Sequence, residues 1–205
     1  MFTGLIREIG ETISLKDNIL TIKSNLNPDI GDSIAVNGVC LTVVSVDSGL
    51  FSVELSKETR DIIDISKFIG KVHLEPAMGI GDKFDGHIVQ GHIDCIGEVK
   101  EIQKRENGTD FIIKVPREYI KYIVPKGSIA IDGVSLTIND IYQDSFRLTI
   151  IPHTLKETLI QNYKIGTKIN IETDIFARYI EHILAHKAKK DSPNWRDIDS
   201  ILMSY

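Results

Sequence analysis

Apolar and polar positions alternate in short runs along most of the chain. Leu20-Thr21-Ile22-Lys23-Ser24 and Phe111-Ile112-Ile113-Lys114-Val115 carry apolar residues near period two, the pattern of half-buried strands. Turn signals interrupt these runs at Asn37-Gly38, Asp47-Ser48-Gly49, Asn107-Gly108 and Asp132-Gly133. Many short strands with turns between them predict small closed or Greek-key barrels, which leave few exposed edges. Helical periodicity is strong only late, where Phe176, Tyr179, Ile180, Ile183 and Leu184 form one apolar stripe. Asp174 stands where it would cap this helix, and Lys187, Lys189 and Lys190 suit its C-terminal end. The stripe has two readings: packing on the chain's own barrel, or an oligomer seam.

The chain also repeats itself. Ser33-Ile34-Ala35-Val36-Asn37-Gly38-Val39-Cys40-Leu41-Thr42 lies on Ser128-Ile129-Ala130-Ile131-Asp132-Gly133-Val134-Ser135-Leu136-Thr137 by identity or close exchange. At the same spacing Phe51 falls on Phe146, Val53 on Leu148, Leu55 on Ile150 and Thr59 on Thr154. Gly4-Leu5-Ile6 lies on Gly91-His92-Ile93, Phe2 on Val89, and Lys71 to Glu75 on Lys168 to Glu172. Two copies therefore span most of the chain, with a seam near Asp85-Gly86-His87. The expected division is 1–86, 87–184 (helix from about 175) and a tail, 185–205.

Composition narrows the function classes. The 205 residues are 42% hydrophobic and 26% charged, with a net charge of −5, which gives no support to a nucleic-acid or anionic-membrane partner. No apolar run approaches a membrane span, and Met1 to Arg7 lacks the pattern of a secretory signal. Cys40 and Cys95 are too few for a disulfide framework or a CxxC metal site. The expectation is a cytoplasmic protein with reduced thiols, no metal, no nucleic acid and no membrane.

Met1-Phe2-Thr3-Gly4, Asn37-Gly38-Val39-Cys40-Leu41-Thr42, Ser56-Lys57-Glu58-Thr59, Gly91-His92-Ile93 and Asp132-Gly133-Val134-Ser135-Leu136-Thr137, in this order and spacing, resemble the riboflavin synthase family. The resemblance runs from Met1 to about Leu184. It implies an all-β fold of two similar six-stranded Greek-key barrels in tandem with a C-terminal α-helix. It also implies a homotrimer held largely by that helix, with active sites between barrels of neighbouring subunits. The activity it implies is dismutation of two 6,7-dimethyl-8-ribityllumazine molecules to riboflavin and 5-amino-6-(D-ribitylamino)uracil. Association with lumazine synthase is compatible with this resemblance, though no residue encodes it. Val36 and Val39 depart from polar or cysteine residues found in other members, and the tail after Lys190 follows no family pattern.

Carried over by position, the substrate-binding residues are Gly4, Leu5, Ile6, Cys40, Leu41, Thr42, Glu54, Leu55, Ser56, Lys57, Glu58, Thr59, Gly91, His92, Ile93, Lys126, Ser135, Leu136, Thr137, Thr149, Ile150, Ile151, Pro152, His153 and Thr154. Phe2, Ser33 and Asp132 join them as candidates. The copies differ where chemistry is expected: Cys40 matches Ser135, Leu5 matches His92, Asn37 matches Asp132, and Ala77 approximates Asp174. By sequence the second copy thus collects His92, Asp132 and Asp174, while the first holds a thiol and an aromatic.

The implied reaction passes a four-carbon unit between identical molecules, so it calls for no redox cofactor or metal. One lumazine loses a proton from its C7 methyl, for which His92 is the candidate base. The other accepts a nucleophile at C7: water, a ribityl hydroxyl, Ser135 or Cys40. Thr42 or Thr137 could hydrogen-bond the ring, and Asp174 completes the catalytic candidates. Blander readings stand beside these. Cys40 alone reads as a small buried hydrophobe, Cys95 as structural, the threonines as strand formers, and Lys57-Glu58 as a solvated charge pair. His87, His153, His182 and His186 read as surface or packing residues. A non-catalytic lumazine- or flavin-binding protein is the chief alternative; a flavin oxidoreductase would need a nucleotide-binding turn that Gly79 to Asp85 does not supply.

Overall fold

A computed structural model describes residues 1–191, with side chains as far as Lys187; the remainder of the expected tail lies outside the described residues. The first copy contains β1 (Glu8–Lys16), β2 (Ile19–Lys23), β3 (Ser33–Val36), β4 (Val39–Asp47), β5 (Leu50–Glu54), helix α1 (Lys57–Ile62) and β6 (Lys71–Pro76). The second contains β7 (Cys95–Arg105), β8 (Gly108–Lys114), β9 (Ser128–Ile131), β10 (Val134–Ile141), β11 (Ser145–Ile150), helix α2 (Pro152–Glu157) and β12 (Lys168–Thr173). Helix α3 spans Ile175–Asp191.

Each copy closes into a six-stranded antiparallel barrel, in the orders β1-β2-β5-β4-β3-β6 and β7-β8-β11-β10-β9-β12. In each, three hairpin-linked strands are followed by a fourth that returns beside the first of them, the Greek-key arrangement. Strand alternation fills the interiors. Leu20, Ile22, Val43, Phe51, Val53 and Leu74 point into the first barrel, and Ile113, Ile129, Phe146, Leu148 and Ile171 into the second, all nearly inaccessible. Each such side chain contributes about 1.5–3 kcal/mol on burial.

Turn chemistry links the two barrels. Asn37 and Gly38 have φ of 46° and 81°, and Asp132 and Gly133 have 44° and 83°, so both hairpins are of the type that needs two left-handed residues. The tips meet: a Cβ on Gly38 would lie 2.6 Å from the backbone nitrogen of Gly133. These glycines therefore permit close approach as well as positive φ. At the Asn107-Gly108 signal the loop is instead Glu106-Asn107, and Gly108 opens β8.

Around the tips the barrels share a polar joint. Asp132 accepts from Lys67 Nζ, the Tyr163 hydroxyl and the Asn170 amide. His73 Nε2 accepts the Leu159 N–H at 2.7 Å, so its Nδ1 carries the proton and donates to the Asp132 carbonyl at 2.9 Å. An apolar cluster of Phe2, Ala35, Val89 and Ala130 lies beside the joint.

The helix stripe does not pack on its own barrel. Phe176, Tyr179, Ile180, Ile183 and Leu184 are each more than half exposed. What ties α3 to the barrel is polar: Asp174 caps its first turn through the Phe176 N–H, Arg178 bonds Asp94 and Gln90, and Lys121 pairs with Glu181.

Candidate functional site

Two segments pass between the barrels, related by the repeat. Phe2 and Val89 pair antiparallel, with N–H···O distances of 2.8 and 3.1 Å. Beyond this crossing, Gly4 reaches the second barrel, where its carbonyl accepts the Ser135 N–H at 2.8 Å. Gly91 reaches the first barrel, where its carbonyl accepts the Cys40 N–H at 2.9 Å. Ile6 accordingly packs on the second core and Ile93 on the first. The copies thus exchange their glycine segments, and each site is built from both halves of the chain.

Buried carboxylates hold the exchanged segments. Glu75 accepts from Thr3 N, Thr3 Oγ1 and Gly4 N at 2.7, 2.9 and 3.0 Å. Glu172 accepts from Gln90, Gly91 and His92 N–H groups at 2.6, 2.8 and 3.1 Å. Burial raises both acids' pKa values against the pull of these donors, that of Glu172 to about 7. Sequence comparison registers Glu75 and Glu172 as matching strand ends; their partners, lying far along the chain, carry no local signal.

The first-barrel site is a cleft of about 460 Å³ walled by Cys40, Glu58, Thr59, Gly91, His92 and Ile93, with Val39, Ile62 and Ile63 as its apolar lining. Ser56 caps α1 through the Thr59 N–H and bonds the Thr59 hydroxyl at 2.9 Å, presetting that threonine. His92 therefore stands beside Cys40, whereas its place in sequence assigned it to the second copy. Lys57, Glu54 and Thr42 are exposed, Leu41 and Leu55 are buried in the barrel core, and Ser33 lines a neighbouring cleft with Pro76 and Ala77.

In the second barrel Ser135, half-buried, lies between Gly4 and a histidine that sequence reasoning set aside: His87 Nδ1 is 2.7 Å from Ser135 Oγ. His87 is buried, not a surface residue, and burial lowers its pKa while the charge of Asp174 acts in the opposite direction. Leu5 and Leu136 are half-buried here, and Thr137 and Lys126 are exposed. Thr149 bonds Asp110 and Arg147 in a separate polar cleft, and Ile150 is in the core. Ile151 precedes α2, with Pro152, His153 and Thr154 in its first turns.

Two further candidates lie between the barrels. Asp132 is in the inter-barrel joint with both carboxylate oxygens engaged, and Phe2 is fully buried in the inter-barrel cluster. His92 and Asp132, both in the second copy by sequence, thus lie apart, because exchange of the glycine segments carries His92 to the first barrel. Cys95 is buried, its thiol pushed up to about 12 by burial and nearby carboxylates, and is inert. Among the described residues no helix is long and apolar enough to cross a membrane.

Comparison with known proteins places the chain in a family and agrees with the fold. A family model described as the lumazine binding domain matches twice, over residues 3–77 and 90–174. The chain is 44% identical over 196 residues to a riboflavin synthase of Actinobacillus pleuropneumoniae, covering 91% of each protein. It is 41% identical over 201 residues to that of Bacillus subtilis (strain 168), covering 93% of each. Among solved structures, LumP complexed with riboflavin superposes with a TM-score of 0.72 at 23% identity, over 84% of this chain and 99% of that one. LumP complexed with 6,7-dimethyl-8-(1'-D-ribityl) lumazine gives 0.69 at 24% identity over the same shares.

Proposed function

Because the chain belongs to the riboflavin synthase family and carries the lumazine binding domain twice, we infer that each barrel holds one 6,7-dimethyl-8-ribityllumazine against its exchanged glycine segment. The activity is that of a transferase: two lumazines become one riboflavin and one 5-amino-6-(D-ribitylamino)uracil by passage of a four-carbon unit. The observation that carries the reading is the duplicated site, Cys40 against Gly91 and Ser135 against Gly4, on a single fold. Two like substrates call for two like pockets, and holding both removes much of the entropic barrier to their reaction.

The sites are alike in backbone and unlike in chemistry. The first offers Cys40, Thr59 and His92; His92 is the candidate for taking the C7-methyl proton of one lumazine. The second offers Ser135, whose hydroxyl is the candidate for addition at C7 of the other. The reaction redistributes bonds between identical molecules, so its electrons balance without an external redox partner. A non-catalytic lumazine-binding protein is the less favoured reading, since Ser135, Thr137 and His92 are all present.

The exposed stripe of α3 fits a subunit seam, and the family resemblance makes the assembly a homotrimer in which a first barrel meets a second barrel of a neighbour. Two free cysteines fit a cytoplasmic setting. The test is incubation of purified protein with the lumazine alone while both products are quantified. One riboflavin per two lumazines consumed is expected; binding without turnover would leave a carrier instead.

A further inference from the structure

The two sites each hold one histidine, but at positions that do not correspond. His92 lines the Cys40 cleft, and its repeat counterpart at the second site is Leu5. The second site's histidine is His87, brought in by the seam between copies and set 2.7 Å from Ser135 Oγ. Cys40, the counterpart of Ser135, makes no side-chain hydrogen bond among the described residues. The imidazole–hydroxyl pair therefore belongs to one site only.

The pair is rigidly supported. The His87 N–H donates to the Thr3 carbonyl at 3.2 Å, and Thr3 is itself held by buried Glu75. Gly86 lets the chain pass so close that a Cβ there would lie 2.2 Å from the Thr3 carbonyl oxygen. His87 Nε2 is buried without a partner among the described residues, so the ring's side-chain hydrogen bonding is directed wholly at Ser135. A serine hydroxyl otherwise rotates freely. Fixing it in advance removes a reorganisation step from any reaction that uses it.

We propose that His87 is a positioning residue for the second-barrel site, orienting the Ser135 hydroxyl toward bound lumazine and making that site inequivalent to the Cys40 site. The proposal rests on the riboflavin synthase reading. Its test compares His87→Ala, His87→Asn, Ser135→Ala and the double variant His87→Ala/Ser135→Ala in steady-state turnover, with melting temperature and riboflavin binding measured alongside.

His87→Ala is expected to lower kcat roughly ten- to hundredfold, with a smaller change in KM. His87→Asn places an amide where Nδ1 stood and is expected to recover most of that loss. The double variant is expected to be no slower than Ser135→Ala alone, because the histidine acts through the serine. Unchanged kcat in folded His87→Ala, a loss not recovered by asparagine, or losses that multiply in the double variant would each overturn the proposal. Should the two variants carrying His87→Ala fail to fold, His87→Asn with and without Ser135→Ala decides: near-native kcat in the first and Ser135→Ala-like kcat in the second support it, and any other pair of values overturns it. Wild-type protein run in parallel separates the two levels. If wild type turns over, failure concerns His87 alone; if it does not, the reaction assignment itself fails.

Discussion

The Cys40 N–H donates to the Gly91 carbonyl at 2.9 Å, and a methyl group on Gly91 would sit 2.5 Å from Cys40 Cβ. Gly91 also has φ +80°, a conformation that disfavours any Cβ. Gly91→Ala is therefore expected to lower stability by at least about 2 kcal/mol and to distort the first-barrel cleft. Urea denaturation and lumazine titration check this; native affinity in the variant would mean that Gly91 does not shape the site.

His92 is the imidazole lining that cleft, the side-chain type that most often serves as a general base. His92→Ala is expected to reduce kcat by roughly 100-fold or more while substrate still binds. Cys40→Ser should stay within about tenfold of wild type, since serine occupies the matching strand position at Ser135. Steady-state kinetics decide both, and a larger loss in Cys40→Ser would assign the thiol a covalent role.

Glu172 titrates near 7 in the folded chain because burial outweighs its three N–H donors. Its folded pKa lies above the unfolded value near 4.5, so the folded state binds the proton more tightly. The group's contribution is greatest below about pH 4.5 and declines as pH rises to about 7. Glu172→Gln is expected to cost about 1–3 kcal/mol at pH 5, by presenting an amide N–H to backbone donors. That penalty should shrink by pH 8. Urea melts at both pH values test the sign; a penalty that grows with pH would contradict it.

His73 has the opposite linkage. Burial lowers its pKa, and Nε2 must stay unprotonated to accept from Leu159. As pH falls below about 6.5, the unfolded chain takes up a proton that the folded chain refuses, and stability declines. His73→Leu should lack this acid-side decline while losing about 1–3 kcal/mol at pH 8 from the unpaired Leu159 N–H and Asp132 carbonyl. Denaturation across pH 5–8 makes the comparison.

The five exposed apolar residues of α3 lie along one helix stripe. For the homotrimer proposed above, the double substitution Ile180→Lys/Ile183→Lys is expected to shift sedimentation from three chains to one while leaving the far-ultraviolet spectrum unchanged. Persistence of the trimer would place the seam elsewhere.

The sequence by itself determined the duplication, the barrels, the paired hairpin turns at Asn37-Gly38 and Asp132-Gly133, and the family. Alternation and turn chemistry are local, and a repeat displays them twice. It also marked Cys40, Ser135 and Gly91 by their matched positions. What only the tertiary structure decided was which half of the chain serves which site. Gly4 closes on Ser135 and Gly91 on Cys40 across the barrel interface, through backbone bonds between residues far apart in sequence. That exchange moved His92 to the first barrel and drew His87 to Ser135, while the meeting of the two hairpin tips enclosed Asp132 in the joint. None of these has a periodic signature, because each arises from two closed surfaces meeting, and the burial that fixes them exists only once both barrels have formed.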